Sequence, residues 1–348
     1  MDHSGNTIAL LTPALGTENI GDHFIELAIR RLLGSDRRYA RFSTRERLTA
    51  ADIDAINSAE CAVLCGTNLY QQNWWSALTP EDLDAIRVPV IPFGVGSSAS
   101  SERHTRVGRQ TRQMIRKLHA TCRFGSVRDP HTAAVVRRAR VRNALMTGCP
   151  VLQWSGQPTL PEASTPPRRI LVTARNWIMH HGDGGSLDHP VQVELIQQIW
   201  NAFDEEQLLF VVHEPTDRSL IDLIGISPER VVDTNDPERL TDLYSDPENA
   251  VLASRLHAGM LGMANGLQTV FVAHDTRSYS FCGMMGVECL NLFDERTPAD
   301  SIARLRTILD GDAAYSLRTI AKYQELHQAM SHFLEVNELA RAPIAAAA

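Results

Sequence analysis

The sequence predicts an α/β protein built from two parallel-sheet lobes, and three observations carry that reading. Short β-rich apolar runs alternate with amphipathic helical stretches along nearly the whole chain, the rhythm of strands joined by crossover helices. At 348 residues the chain exceeds what one hydrophobic core supports. Near its middle, Ser155–Arg169 (SGQPTLPEASTPPRR) is rich in proline and poor in large apolar residues, which is linker chemistry. The chain therefore reads as a first lobe at 1–155, a linker at 156–169, a second lobe at 170–312, and a helix with an alanine tail at 313–348 that can return to the first lobe.

In the first half the strands fall at Thr7–Thr12, Cys61–Cys65, Val90–Val95 and Phe124–Val127. Between the first two, Phe24, Leu27, Ala28 and Leu32 recur at helical spacing. A second helix starts near Thr49 and turns Ile53 and Ile56 inward, and a longer one runs through Gln110–His119. After the linker, strands are expected at Ile170–Ala174, Leu208–Val212, Val231–Asp233, Ala250–Ala253 and Thr269–Ala273, with helical sequence from about Ala313 to Leu339. Two such lobes direct their strand carboxyl ends toward a shared central cleft, the edge at which open α/β sheets bind ligands.

Composition narrows the function classes. No apolar run reaches the roughly 20 residues of a membrane-spanning helix, and the N-terminus reads as a first strand rather than a signal peptide. The expected location is the cytoplasm. Net charge is −7, and Arg137, Arg138, Arg140 and Arg142 lie in a helical stretch with no interleaved aromatics. That stretch reads as a solvated face, so nucleic acid is not an expected partner. Six cysteines without CxxC spacing are expected to be reduced, largely buried and free of disulfides.

Three segments carry candidate chemistry. In ALGTENIGDHFIELAI, Gly16 and Gly21 permit a tight turn, Asp22 stands where an N-cap would be, and Asn19 can close an Asx turn. A loop at a helix N-terminus can hold an anion, although capping alone explains the same residues. In Ser126–Pro130, Asp129 and Pro130 start a helix, which leaves Arg128 at a strand's carboxyl end. The plain alternative is a surface arginine paired with a carboxylate. In ASRLHAG, Arg255 and His257 stand at the start of a helix, where the helix end is already partly positive. Two cationic or protonatable groups there point to an anion that offsets them, against the alternative of a structural histidine and a salt-bridged arginine. His213 and Glu214 follow a strand and can touch substrate, pack or cap. His180, His181 and Asp183 sit in a glycine-rich loop without metal-ligand spacing, and no metal site is expected.

The ordered set GTENIGD, the apolar strand to Gly66, PVIPFGVG, SVRD, TGCP, ASRLHAGMLGMANG and Val270–Phe281 with Asp275 resembles the polysaccharide pyruvyl transferase family over about residues 7 to 290. The resemblance implies two Rossmann-like parallel-sheet lobes facing a central cleft, a GT-B-like architecture. It implies transfer of a pyruvyl group from phosphoenolpyruvate to a sugar, with phosphoenolpyruvate as co-substrate and no cofactor. The family's arginine–any–histidine motif falls on Arg255 and His257, and a further donor arginine corresponds to Arg128. The loop holding Asn19, Gly21 and Asp22 faces the acceptor, with Asp22 as a second catalytic candidate. Where many relatives carry a run of glycines this chain has Gly66-Thr67-Asn68-Leu69, which puts Asn68 on the acceptor side. Where relatives often carry lysine it has Arg277.

On that resemblance two arginines hold the donor's carboxylate and phosphate through bidentate hydrogen bonds. Histidine, whose ordinary pKa is about 6.5, suits a general acid near neutral pH, so His257 is assigned protonation of the methylene carbon, and Asp22 orients or deprotonates the attacking hydroxyl. The expected partners are a small-molecule donor and a glycan acceptor, and a peripheral contact with a lipid-linked glycan stays open. Two alternatives remain open as well: a glycosyltransferase of the same build using a nucleotide sugar, and a non-catalytic protein that binds a small anion or sugar.

Overall fold

The computed structural model describes residues 7–98, 105–157, 160, 166–175, 189–311 and 315–339. His180, His181, Asp183, the alanine tail and part of the expected linker lie outside the described residues. The chain divides into two compact units. The first comprises residues 1–17, 22–158 and 323–348, and the second comprises residues 18–21 and 159–322.

In the first unit the elements alternate as β1 (Thr7–Thr12), α1 (Ile20–Leu33), β2 (Arg38–Ser43), α2 (Ala50–Asn57), β3 (Cys61–Cys65), α3 (Pro80–Ala85), β4 (Val90–Phe93), α4 (Arg109–Ala120), β5 (Gly125–Val127), α5 (Pro130–Arg138) and β6 (Ala144–Met146). The sheet order is β2-β1-β3-β4, all parallel, and a single bridge from Val95 to Val127 leads on to the β5-β6 pair. β1 and β3 are near-continuous apolar runs because both of their faces are covered. Cys61 and Cys65 are two of those buried side chains, and none of the six cysteines is in a disulfide. β2, RYARFS, lies at the edge and keeps its polar side chains half-exposed. Thr49 and Thr79 open α2 and α3 with reciprocal capping boxes, and Asp129 caps α5 ahead of Pro130. The core joins Leu11 and Leu64 of the sheet to Met114 and Ile115 of α4 and Val135 of α5.

The second unit runs β7 (Arg169–Thr173), α6 (His189–Ala202), β8 (Leu208–Val211), α7 (Arg218–Ile224), β9 (Val231–Val232), α8 (Pro237–Leu243), β10 (Asn249–Ala253), α9 (Leu256–Ala264), β11 (Thr269–Ala273), α10 (Thr276–Met285), β12 (Cys289–Asn291) and α11 (Thr297–Leu309). Its parallel sheet has the order β12-β11-β10-β7-β8-β9. Ile170, Val172, Phe210 and Leu252 of the sheet pack with Ile199 of α6 and Leu305 of α11.

The last helix, α12 (Leu317–Val336), begins four residues after the expected Ala313 and belongs to the first unit from Tyr323 onward. There Tyr323 donates its hydroxyl to the Leu152 carbonyl at 2.6 Å, and Phe333 meets Phe93 edge-on at 4.9 Å between centroids. Asn337 brackets the Phe124 backbone, accepting its N–H at 3.3 Å and donating to its carbonyl at 3.0 Å.

The side chains of His119, His213 and His274 are buried, and burial lowers their pKa to about 4 for His119 and about 3 for His213 and His274, the last even with Asp275 at 3.5 Å. Two of them face a tyrosine hydroxyl, His119 with Tyr70 at 3.1 Å and His213 with Tyr244 at 2.8 Å. A folded-state pKa below the unfolded value means that the unfolded chain takes up protons the fold refuses. Stability is therefore fully present above pH about 6.5 and falls as pH drops toward the folded values. At pH 5 each histidine is expected to remove about 2 kcal/mol. Urea unfolding at pH 7.5 and 5 measures this, and a flat profile for wild type with an unchanged one for His213→Gln contradicts it.

Candidate active site

Each sheet reverses its strand order once, and the crevice at such a reversal is where loops diverge and ligands bind. In the second unit the reversal lies between β7 and β10. The carboxyl ends of four adjacent strands bring together Arg175 after β7, His213 and Glu214 after β8, Ser254, Arg255 and His257 after β10, and His274, Asp275 and Arg277 after β11. In the first unit it lies between β1 and β3, whose following loops carry Pro13–Thr17 and Gly66–Asn68.

Arg255 is the N-cap residue of α9 and is buried, with 8% of its surface exposed. Its Nη1 donates to Glu214 Oε2 at 2.9 Å, its Nη2 to the fully buried Asp217, and its Nε to the Ala174 carbonyl at 3.4 Å. This answers the charge argument made from sequence: the cation at the helix start is offset by two carboxylates of the protein. Asp217 is itself fixed, accepting the backbone N–H groups of His213 and Glu214 at 3.1 Å each. Burial pushes its carboxyl up, and the Arg255 guanidinium pulls it back toward the ionised form.

His257 sits in the first turn of α9, half-buried, with its ring against the backbone of Gly21. A Cβ at position 21 would stand 2.6 Å from His257 Nδ1, so glycine is needed there for the imidazole to lie where it does. The segment 18–21 belongs to the second unit. Ile20 N–H donates to the His213 carbonyl at 2.9 Å, and Asn19 Oδ1 accepts the Gly21 N–H at 3.1 Å in the expected Asx turn.

Arg175 and Arg277 complete the cluster. Burial, then the nearby guanidiniums of Arg277 and Arg255, lower the Arg175 pKa to about 10, against the pull of Glu214 and Asp275. Arg277 is held by Asp275, which accepts its Nε at 2.5 Å and the backbone N–H groups of Arg277 and Ser278 at 3.1 Å each. Burial would raise the Asp275 carboxyl, but Arg277 and these hydrogen bonds prevail and hold it well below the usual carboxylate range.

In the first unit Asp22 is the third residue of α1 and not its N-cap, because the helix already starts at Ile20. Its carboxylate pairs with Arg45 Nη2 at 2.9 Å. The same guanidinium donates to the Pro13 carbonyl at 3.1 Å and lies 4.9 Å from the ring centroid of Trp75, which is 49% exposed. Arg128 follows β5 as expected, but it is buried rather than a surface residue. It donates to Asn68 Oδ1 and, at 3.3 Å, to Asp129 Oδ2, and its guanidinium lies flat against Gly96, where any Cβ would collide with it.

The structure thus joins Asn19, Gly21, Arg255 and His257 in the second unit, Arg128 to Asn68 in the first, and Asp22 to Arg45 in the first. Sequence reasoning did not single out Arg175, Asp217, Arg45 or Trp75. For Arg175 a signal existed: the apolar runs of β7, β8, β10 and β11 each stop at a charged residue within two or three positions. Among the described residues no group of His, Cys, Asp and Glu is arranged to hold a metal ion, and no helix is long and apolar enough to cross a membrane.

Among solved structures the fold is similar to that of S. aureus MnaA in its co-structure with UDP, at 10% identity and a TM-score of 0.55, over 96% of this chain and 97% of that one. It is also similar to UDP-GlcNAc 2-epimerase from Neisseria meningitidis bound to UDP-GlcNAc, at 10% identity and a TM-score of 0.53, over 94% and 99%. These likenesses establish a GT-B-type α/β fold. Among curated proteins none matches the chain. A profile of the polysaccharide pyruvyl transferase family matches residues 19–276, which run from the Asx turn at Asn19 to the first residue of α10 and take in both units' strand ends. The chain therefore belongs to the polysaccharide pyruvyl transferase family and is a transferase of glycan modification.

Proposed function

We propose that the chain transfers the pyruvyl group of phosphoenolpyruvate to hydroxyls of a sugar or polysaccharide precursor, releasing inorganic phosphate. The observation that carries this reading is the convergence of Arg175, Arg255 and Arg277 with His257 on one carboxyl edge of the second sheet. The donor is a small, multiply charged anion, and guanidiniums are the groups that grip carboxylate and phosphate in two-pronged fashion. Arg255 is engaged by two carboxylates, Glu214 and Asp217, so in this proposal it braces the site while Arg175, together with Arg277 as oriented by Asp275, takes the donor's charges. An anion beside Arg175 favours its charged form and reverses the lowering that burial and its cationic neighbours impose.

The chemistry proceeds by protonation of the donor's methylene carbon, a role assigned to His257. The adjacent carbon becomes electrophilic and forms a C–O bond with an acceptor hydroxyl, whose proton leaves to a base. A second hydroxyl then displaces phosphate, which leaves carrying that hydroxyl's proton as hydrogen phosphate, and closes a cyclic ketal. On the acceptor side the proposal keeps Asp22, oriented by Arg45, as that base. The exposed indole of Trp75 offers an apolar face to a sugar ring.

Calorimetry and thermal shift with phosphoenolpyruvate, UDP and UDP-sugars test the proposal. Phosphoenolpyruvate is expected to raise the melting temperature, and Arg175→Ala to weaken its binding by about 1.5–3 kcal/mol without lowering the melting temperature of the free protein. Arg255→Ala is expected to lower both, because it leaves two acids facing each other. Stabilisation by UDP and none by phosphoenolpyruvate replaces this reading with a nucleotide-sugar glycosyltransferase.

A further inference from the structure

Charge is unevenly distributed along this chain. Residues 105–150 hold eleven Lys and Arg against one acid, Asp129, while the whole chain carries −7, which leaves −17 on the rest. The structure gathers much of this positive charge on one face of the first unit. Arg116 Nε donates to the Ala139 carbonyl at 2.7 Å, which ties α4 to the carboxyl end of α5. Beside that tie a cavity of about 490 Å³ is lined by Arg106, Arg112 and Arg138, with Val107 and Ala139 as its apolar wall. Arg109 lies three residues before Arg112 on the same face of α4, and Arg137 and Arg140 flank Arg138. All six arginines are exposed, and none pairs with a carboxylate of the described residues.

Arg140 adds an independent observation. It follows Ala139, the C-cap of α5, with a φ of 65°, where its N–H bonds to the Arg137 carbonyl and the Val141 N–H to the Val136 carbonyl. Helices that end in this motif usually carry glycine there, since a side chain is strained in the left-handed region. An exposed arginine at that position sacrifices stability for a charge that pairs with no carboxylate among the described residues.

We infer that this face docks on an anionic phospholipid bilayer, with the three-arginine cavity taking a phosphate headgroup. A bilayer presents a plane of phosphates, which suits cations spread across two helix ends. A face without insertion residues is held by charge alone: the aromatic content of residues 105–150 is Phe124, which is half-buried. That absence also removes the stacking platforms on which single-stranded nucleic acid is bound. With −17 on the remainder, the excess of ten positive charges in residues 105–150 favours docking by this face on such a surface. The inference is independent of the donor proposed above.

Sedimentation of the full chain with phosphatidylcholine vesicles, with and without phosphatidylglycerol, is the test. Binding is expected only with the anionic lipid and is lost as salt rises from about 0.1 M to about 0.5 M. The triple variant Arg106→Gln, Arg112→Gln, Arg138→Gln is expected to lower partitioning by about a hundredfold, roughly fivefold per arginine. The exposed set Arg38→Gln, Arg47→Gln, Arg239→Gln, which removes equal charge elsewhere, leaves it within about threefold. Arg140→Gly is expected to raise the melting temperature and lower partitioning about fivefold, a pairing that misfolding cannot produce. Equal binding to both vesicles, equal loss in the two triple variants, or binding of duplex DNA without vesicle binding overturns the inference.

Discussion

Asp217→Ala is expected to lower the stability of this protein by about 3–5 kcal/mol, the cost of removing one partner of a buried ion pair. Asp217 is fully buried and receives the Arg255 guanidinium together with two backbone N–H groups. Alanine leaves those donors facing an apolar gap, and Arg255, itself buried, keeps only the more exposed Glu214 as counter-charge. Asp217→Asn still accepts the backbone N–H groups and should recover part of the loss. The double variant Asp217→Leu, Arg255→Met should recover most of it, because a buried pair can often be replaced by apolar groups of similar size at little net cost. Urea unfolding decides the matter: a loss below about 1 kcal/mol in Asp217→Ala, or a double variant no better than the single, would show that the pair is not what holds these loops.

His257→Gln is expected to lower turnover by roughly 10²–10⁴ while leaving phosphoenolpyruvate affinity nearly intact, the signature of a lost general acid. Glutamine keeps hydrogen-bonding capacity and removes the titrating proton. Gly21→Ala approaches the same imidazole from the backbone side, since its Cβ would stand 2.6 Å from Nδ1 and force the ring to turn. It too should depress turnover more than affinity. Phosphate release under saturating donor, with calorimetry on each variant, separates the outcomes. If His257→Gln loses affinity and stability and retains turnover per bound donor, the histidine is a structural residue.

Much of this was legible in the sequence, for physical reasons that differ from residue to residue. β1, β3 and β11 could be read to the residue because strands buried on both faces must be apolar throughout. β2, RYARFS, was missed because an edge strand with half-exposed side chains carries no apolar run, and β6 and β12 are only three residues long. Arg255 and His257 announced themselves by standing where a helix start disfavours cations. For Arg255 the offsetting charges come from Glu214 and Asp217, about forty residues earlier in the chain, which is the salt-bridged arginine that the sequence left open as the alternative to a bound anion. Asp217 gave no local signal, as its role exists only once β8 and β10 share a sheet with β7 between them. The solvated face read from Arg137 to Arg142 gains its meaning from α4, which sequence spacing alone does not bring alongside.

The chain passes from the first unit to the second after residue 17, returns after 21, leaves again after 158 and comes back at Tyr323 partway along α12. During synthesis, the strands of β1, β3 and β4 leave the ribosome long before Tyr323, Phe333 and Asn337, which close over Leu152, Phe93 and Phe124. The first unit is thus completed only after the second has been made. A nascent chain halted anywhere before residue 323 exposes that unfinished core, and a fragment ending at residue 158 lacks the same lid. Conversely, joining residues 323–339 to such a fragment supplies in one piece what the ribosome delivers only after the second unit.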